Sequence, residues 1–195
     1  MSQGTRTPTI LVPHEPQPGQ LGLRWLGQGG FAFRSPNGIV WCVDPYLSNH
    51  GGKGPVERLA PAPVTGQEVQ TDAVLCTHAH GDHTDPVTLP EIAEASPSAR
   101  FYAAAEGAEK MRGMGIAGRR IVTVKAGDRA VVVGPLGASP SDVRADVVSA
   151  SHSGDAVGYV FEVGDEANRP FRVYVTGDTL YEPPLISDST RDVDV

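Results

Sequence analysis

The sequence predicts a layered α/β domain, α+β in some schemes, and three observations carry that prediction. From Leu21 onward, short apolar or alternating runs recur between Gly, Pro and Asn punctuation, the pattern of strands and tight turns. A few runs with helical spacing lie among them, with no internal repeat and no low-complexity segment. At 195 residues and 39% hydrophobic, the chain is long enough for one domain with its own core.

Residues 1–20 are rich in Pro, Thr and Gln and read as a poorly ordered N-terminal tail, leaving 21–195 as the domain. "LRWLG", "FAFRS" and "IVWCVDP" are expected strands, with "SPNG" turning the chain between the second and third. Residues 47–70 read mostly as loop, and "DAVLCT" as a short buried strand. Thr88 and Glu91 match a capping box, and Pro90 falls in the first turn, where its missing N–H costs little. A short helix to about Ala95 follows, stopped by "SPS". "RFYAAA" is an expected strand, "EGAEKMRGM" a helix and "RIVTVKAGDRAVVV" two strands around a Gly-Asp turn. "RADVVSAS", "VGYVFEVG" and "FRVYVTG" complete the strands.

Composition narrows the function classes. A net charge of −7 argues against a nucleic-acid partner, which calls for a basic stripe to neutralise phosphates. No apolar run is long enough to cross a bilayer, and the N-terminal stretch lacks an apolar segment followed by a small-residue cleavage site. Cys42 and Cys76 are too few and too far apart in sequence for a disulfide framework or a CxxC zinc knot. A reduced, cytoplasmic protein with a small-molecule substrate and no membrane partner is expected. Its oligomeric state is open, a homo-oligomer included.

The stretch "VLCTHAHGDHTDP" holds three of the six histidines, within His78 to His83. On a helix, residues two apart point about 200° from each other, so His78 and His80 could not share a ligand face. In an extended loop, positions i, i+2 and i+4 share a face, and His78, His80 and Asp82 can converge. His83 then points elsewhere, which suits a second ion beside the first. Imidazole and carboxylate donors fit zinc, and also manganese or iron. His152 follows the strand "DVVSAS", and Asp178 follows "FRVYVTG", where Gly177 permits a turn. Each alone reads better as a strand-end or turn residue. Together with the cluster, they place candidate ligands at three strand ends along one sheet edge. Asp44 ends its strand before a proline and reads as a structural hydrogen-bond acceptor.

With these residues in view, the chain resembles the metallo-β-lactamase superfamily of metal-dependent hydrolases. "THAHGDH" is similar to its signature loop, "SASHS" to the segment carrying its next histidine, and "YVTGDT" to the one carrying its bridging aspartate. "WLGQGGFAFRS" followed by "VDPYLSN" is most similar to the branch containing L-ascorbate-6-phosphate lactonase. The resemblance runs from about Leu21 to the C-terminus and implies an αββα sandwich with two divalent ions at one edge. It implies a first ion on His78, His80 and His152, and a second on Asp82, His83 and the shared Asp178. The family closes the second site with a further histidine, and none follows His152 here. The family also continues with further strands and helices, whereas this chain stops at "RDVDV", itself an expected strand start. The chain is therefore expected to lack the second half of the sandwich, to bind its first ion more tightly than its second and to turn over poorly.

The expected activity is hydrolysis of a small lactone, ester or phosphoester by a hydroxide held between two cations, zinc foremost and manganese as the alternative. Asp82 would orient the nucleophile and take up its proton. Tyr46, Asn49 and Tyr181 lie near strand ends and are candidates to line the substrate pocket, or equally packing and loop residues. Two other readings stand beside this one: a phosphodiesterase on the same scaffold, and a metal-binding subunit inactive without a further half. A diiron oxidoreductase is disfavoured, because the family's redox branch carries Glu where this chain has His80.

Overall fold

The computed structural model describes residues 11–48, 58–136, 143–164, 170–183 and 193–195. The apolar runs become strands β1 (Gly22–Gly27), β2 (Gly30–Arg34), β3 (Val40–Val43), β4 (Ala73–Leu75) and β5 (Arg100–Ala103). They are followed by β6 (Ile121–Thr123), β7 (Val131–Val132), β8 (Val143–Ser149), β9 (Val157–Val163) and β10 (Phe171–Val175). Helices α1 (Thr88–Ala95) and α2 (Ala105–Gly113) flank β5 in sequence.

Two sheets form, one in the order β1-β2-β3-β4-β5-β6 and one in the order β10-β9-β8-β7. β1, β2 and β3 pair antiparallel, whereas β3 to β6 run parallel. The helical crossover through α1 joins β4 to β5, and that through α2 joins β5 to β6, as parallel strands require. β4 is buried at all three residues, which explains why its sequence is apolar without alternation. The second sheet is antiparallel throughout, and β8 alternates buried Val143, Ala145 and Val147 with partly exposed neighbours.

Apolar side chains from the two sheets meet in one core. Phe33, Trp41, Leu75 and Tyr102 from the first sheet pack with Val147, Tyr159 and Phe161 from the second. Phe33 stacks on Trp41 with ring centroids 5.1 Å apart, and Phe161 lies 5.5 Å from Trp41 and 5.8 Å from Phe33. On the other face of the first sheet, Val74 and Phe101 pack against Leu89 and Ile92 of α1 and Ala108 and Met111 of α2. Among the described residues, helices cover this sheet alone, so three layers of the expected αββα sandwich are seen. No helix among the described residues is long and apolar enough to cross a membrane.

Several expectations are corrected. Leu11 and Val12 are buried in the helix-side core, so the packed region begins inside the stretch read as tail. Arg24 and Arg34 tie them down by donating to the carbonyls of Leu11 and Val12, at 3.2 and 3.3 Å. Thr88 does not form a capping box with Glu91, because Asp85 takes the cap instead. Its carbonyl accepts the Leu89 N–H at 3.1 Å, and its carboxylate accepts from Val87 N at 3.1 Å and from the Thr88 hydroxyl. The two strands of "RIVTVKAGDRAVVV" join different sheets: β6 closes the first and β7 the second. Their Gly127–Asp128 turn crosses between sheets, held by Gly127 N to Val147 O and Val147 N to Asp128 O, both 2.9 Å. The C-terminal Val195 pairs with β10 in the parallel pattern, Val195 N to Arg172 O at 3.3 Å and Tyr174 N to Val195 O at 2.9 Å.

The aromatic seam sets the stability expectation. Phe161→Ala removes the ring that touches both Phe33 and Trp41 and should cost about 3–5 kcal/mol of unfolding free energy. Urea titration followed by tryptophan fluorescence checks this; a loss below about 1 kcal/mol would mean that the sheets close over the gap.

Candidate metal centre

The site forms where strands run out. β4 lies mid-sheet and ends at Leu75, and the chain passes through Cys76 and Thr77 to His78. β8 and β10 both run antiparallel to β9, so their C-terminal ends emerge at one edge of the second sheet, ahead of His152 and Asp178. Thr77 O accepts from Val157 N at 2.9 Å, which fastens the end of β4 to the start of β9. The three ends therefore meet along a single edge of the sandwich.

Short hydrogen bonds lock the loops together. Ser151 N donates to Thr179 Oγ1 at 2.9 Å and Leu180 N to Ser151 O at 2.8 Å, which couples the His152 loop to the Asp178 loop. Asp155 accepts Glu106 N at 3.0 Å and so caps α2, fixing the His152 loop to that helix. Lys110, also on α2, donates to Ala79 O at 2.5 Å, between His78 and His80. Gly177 has φ +60°, and a Cβ there would stand 2.7 Å from the Thr77 side chain, so both backbone conformation and space exclude larger residues.

His78 Nε2 lies 2.9 Å from His80 Nδ1, and His152 Nε2 lies 3.3 Å from that same nitrogen. The three offer nitrogens all within 4.8 Å of one another. The imidazoles meet nearly edge to face, at interplanar angles of 78°, 81° and 87°. Ligands about 2.0–2.1 Å from a tetrahedral zinc stand roughly 3.3 Å apart, so the spacing suits one ion. His80 Nδ1 can share at most one proton with its two neighbours, whereas a cation would satisfy all three lone pairs. The donor set fits a divalent metal.

A second group joins His78, His83 and Asp178, again within 4.8 Å. Asp178 Oδ2 is 3.4 Å from His83 Nε2 and 4.0 Å from His152 Nε2, so it borders both groups. Asp82 Oδ2 lies 3.8 Å from His83 Nε2. This departs from the extended loop read from the residues. After His80 the chain folds into a tight turn, with His83 N and Thr84 N both donating to His80 O, at 3.1 and 2.7 Å. The turn carries Asp82 away from the shared face of His78 and His80 to the side of His83.

The electrostatics differ sharply across the cluster. Burial, together with the neighbouring His83 and His80, pushes His78 down from 6.5 to about 3, so its ring is neutral. Burial also opposes charge on His83, but the hydrogen bond and charge of Asp44, with Asp178 and Asp82, outweigh it and raise that ring to about 9. Asp44 is fully buried and adopts φ +45°, uncommon for a residue with a side chain. It accepts from Thr77 N at 2.8 Å, from the Thr77 hydroxyl at 2.6 Å and from His83 Nδ1 at 2.8 Å. The acceptor role read from the sequence is thus directed at a candidate ligand. The "VDP" stretch carries no signal of that link, because Asp44 and His83 are 39 positions apart.

The substrate candidates separate. Tyr46 is fully buried, with Arg58 over its ring at 5.8 Å, so it presents no surface to a substrate here. Tyr181 is 79% exposed, three residues beyond Asp178. Asn49 lies outside the described residues.

Comparison with known proteins agrees with this fold. Residues 42–195 match the family model for the beta-lactamase superfamily domain. A UPF0173 metal-dependent hydrolase from Anaeromyxobacter sp. (strain K) is 31% identical over 169 residues, 83% of this chain and 57% of that protein. Another, from Methanopyrus kandleri, is 30% identical over 179 residues, 84% of this chain and 69% of that protein. The chain therefore spans between half and two thirds of the length of the Anaeromyxobacter relative. The crystal structure of the metallo-beta-lactamase fold protein YhfI from Bacillus subtilis superposes with a TM-score of 0.54 at 15% identity, over 86% of this chain and 61% of that one. A crystal structure from Parabacteroides distasonis superposes with a TM-score of 0.61 at 20% identity, over 89% and 67%. The chain belongs to the beta-lactamase superfamily.

The unequal histidines predict how metal uptake depends on pH. His83, raised to about 9, carries a proton at neutral pH that a metal must displace, whereas His78, lowered to about 3, carries none. Affinity for an ion on His83 should therefore rise about tenfold per pH unit from 7 towards 9. Isothermal titration with zinc at pH 7 and 8 measures this, and equal affinities at the two values would contradict the charged state of His83.

Proposed function

We propose that this member of the beta-lactamase superfamily is a metal-dependent hydrolase of a small lactone, ester or phosphoester. The observation that carries the reading is the set of four imidazoles and a carboxylate gathered from three strand ends into two overlapping groups. A fold needs no such cluster for packing, and nitrogens this close present more lone pairs than the proton between them can satisfy. The names of the UPF0173 relatives support the hydrolase class. The similarity of the 25–49 region to the lactonase branch supports the narrower substrate class.

In this reading, His78, His80 and His152 hold one ion, and Asp82, His83 and Asp178 hold another. Divalent ions there would supply Lewis acidity and lower the proton affinity of water. The chain's own residues do the rest. Asp178 lies between the groups and offsets the repulsion of two cations. Asp82, at the rim beside His83, orients the attacking water and accepts its proton at Oδ2. The neutral ring of His78 leaves a lone pair available without deprotonation. The Asp178 side chain is half-exposed, so a small substrate reaches the centre from solvent. Tyr181 stands on the same loop, where it would contact substrate.

The test is a panel of lactone, carboxylester and phosphodiester substrates, assayed with zinc or manganese. Slow turnover that disappears on chelation and returns with metal is expected, with lactones or carboxylesters favoured. Asp178→Ala should lower both bound metal and turnover by at least about a hundredfold, and Tyr181→Ala should mainly raise KM. Preference for phosphodiesters would favour the phosphodiesterase reading. Full turnover by Asp178→Ala with two ions bound would sink the dinuclear assignment.

A further inference from the structure

The hydrogen bonds behind the histidines carry information that the donor set alone does not. Thr77 is almost fully buried between β4 and the signature turn, and its backbone is pinned at both ends. Its N–H donates to Asp44 Oδ1 at 2.8 Å, and its carbonyl accepts from Val157 N at 2.9 Å. The hydroxyl is shared by two partners, Asp44 Oδ2 at 2.6 Å and His78 Nδ1 at 3.1 Å. A hydroxyl has one proton to give. The short contact to a carboxylate is the stronger of the two, so the proton points at Asp44. Thr77 Oγ1 is then left as an acceptor, and the only arrangement that satisfies the second contact puts a proton on His78 Nδ1.

From this we propose that Thr77, anchored by Asp44, is a positioning residue that selects the tautomer of His78 and so turns the Nε2 lone pair towards the candidate metal centre. Asp44 Oδ2 does the same for His83 directly, receiving its Nδ1 at 2.8 Å. One buried carboxylate thereby sets the outward-facing nitrogen of two histidines, one by contact and one through a hydroxyl. Two further contacts restrict the geometry. The Thr84 hydroxyl donates to His78 O at 2.7 Å, which holds the His78 backbone. A Cβ at position 177 would stand 2.7 Å from Thr77 Oγ1, so Gly177 is what leaves the Thr77 side chain its place. The inference rests on His78 being a ligand, as in the reading above, but its primary readout needs no metal.

Long-range proton–nitrogen NMR spectra of the metal-free protein at pH 8 test it directly. In the wild type, His78 is expected as the Nδ1–H tautomer. Thr77→Val keeps the shape and removes the acceptor, and should move His78 mainly to the Nε2–H form while lowering zinc affinity about 10- to 100-fold. Thr77→Ser restores the hydroxyl and should restore both, which separates the hydrogen bond from the packing. An unchanged His78 tautomer in Thr77→Val would overturn the proposal, as would Thr77→Ser behaving like Thr77→Val. A tautomer that moves while zinc affinity stays within twofold would refute the positioning role and, with it, the assignment of His78 as a ligand.

Discussion

Face-to-face packing of two sheets is the constraint on which the rest of this protein depends. The Phe33, Trp41 and Phe161 rings fill the space between them and fix how far β4 stands from β8 and β10. Those strands carry the candidate ligands at their ends. A shift of about 1 Å between sheets would take His152 and Asp178 out of reach of His78 and His80, because ligand distances tolerate only tenths of an ångström. The apolar core is therefore the support of the polar edge, and the two cannot be considered separately.

At that edge, structure and chemistry pull in opposite directions. Burying His78 favours its neutral form, while Asp44, Asp82 and Asp178 favour charge on His83. The cluster thus mixes neutral imidazole with carboxylate and charged imidazole in a space of a few ångströms, an arrangement that becomes balanced when cations replace protons. The strained backbone of Asp44 fits the same picture: an unfavourable conformation persists where the surrounding hydrogen bonds over-determine it. The loops carry no regular structure of their own, yet they are cross-tied by Ser151, Thr179, Asp155 and Lys110. The centre is consequently held by elements from both sheets and from α2.

Much of this was legible in the sequence. Strand runs in "LRWLG", "FAFRS" and "FRVYVTG" declare themselves through β-branched and aromatic residues between turn formers, and each forms a strand. The histidine cluster is legible by its density, whereas His152 and Asp178, ordinary strand-end residues when taken alone, are legible only beside it. Other features were not legible. The start of α1 was not legible, because only the backbone path decides that the Asp85 carbonyl, three residues before Thr88, accepts the first helical N–H. The burial of Leu11 and Val12 was not legible because three apolar residues between Pro8 and Pro13 show no periodicity, and the contacts that hold them come from the distant Arg24 and Arg34.

By itself, the sequence determined the fold class and the inventory of donors, since both follow from local pattern: period, turn residues and the kinds of side chain at strand ends. Tertiary structure alone decided how those donors are shared. Whether Asp82 faces His80 or His83 depends on a turn closed by His83 N and Thr84 N on one carbonyl. Whether β6 and β7 form a hairpin or divide between two sheets depends on which partner strand each meets. That Asp44 serves His83 depends on β3 and β4 lying side by side. The last two are contacts between residues distant in sequence, formed only when the chain has already folded, and no local pattern encodes them.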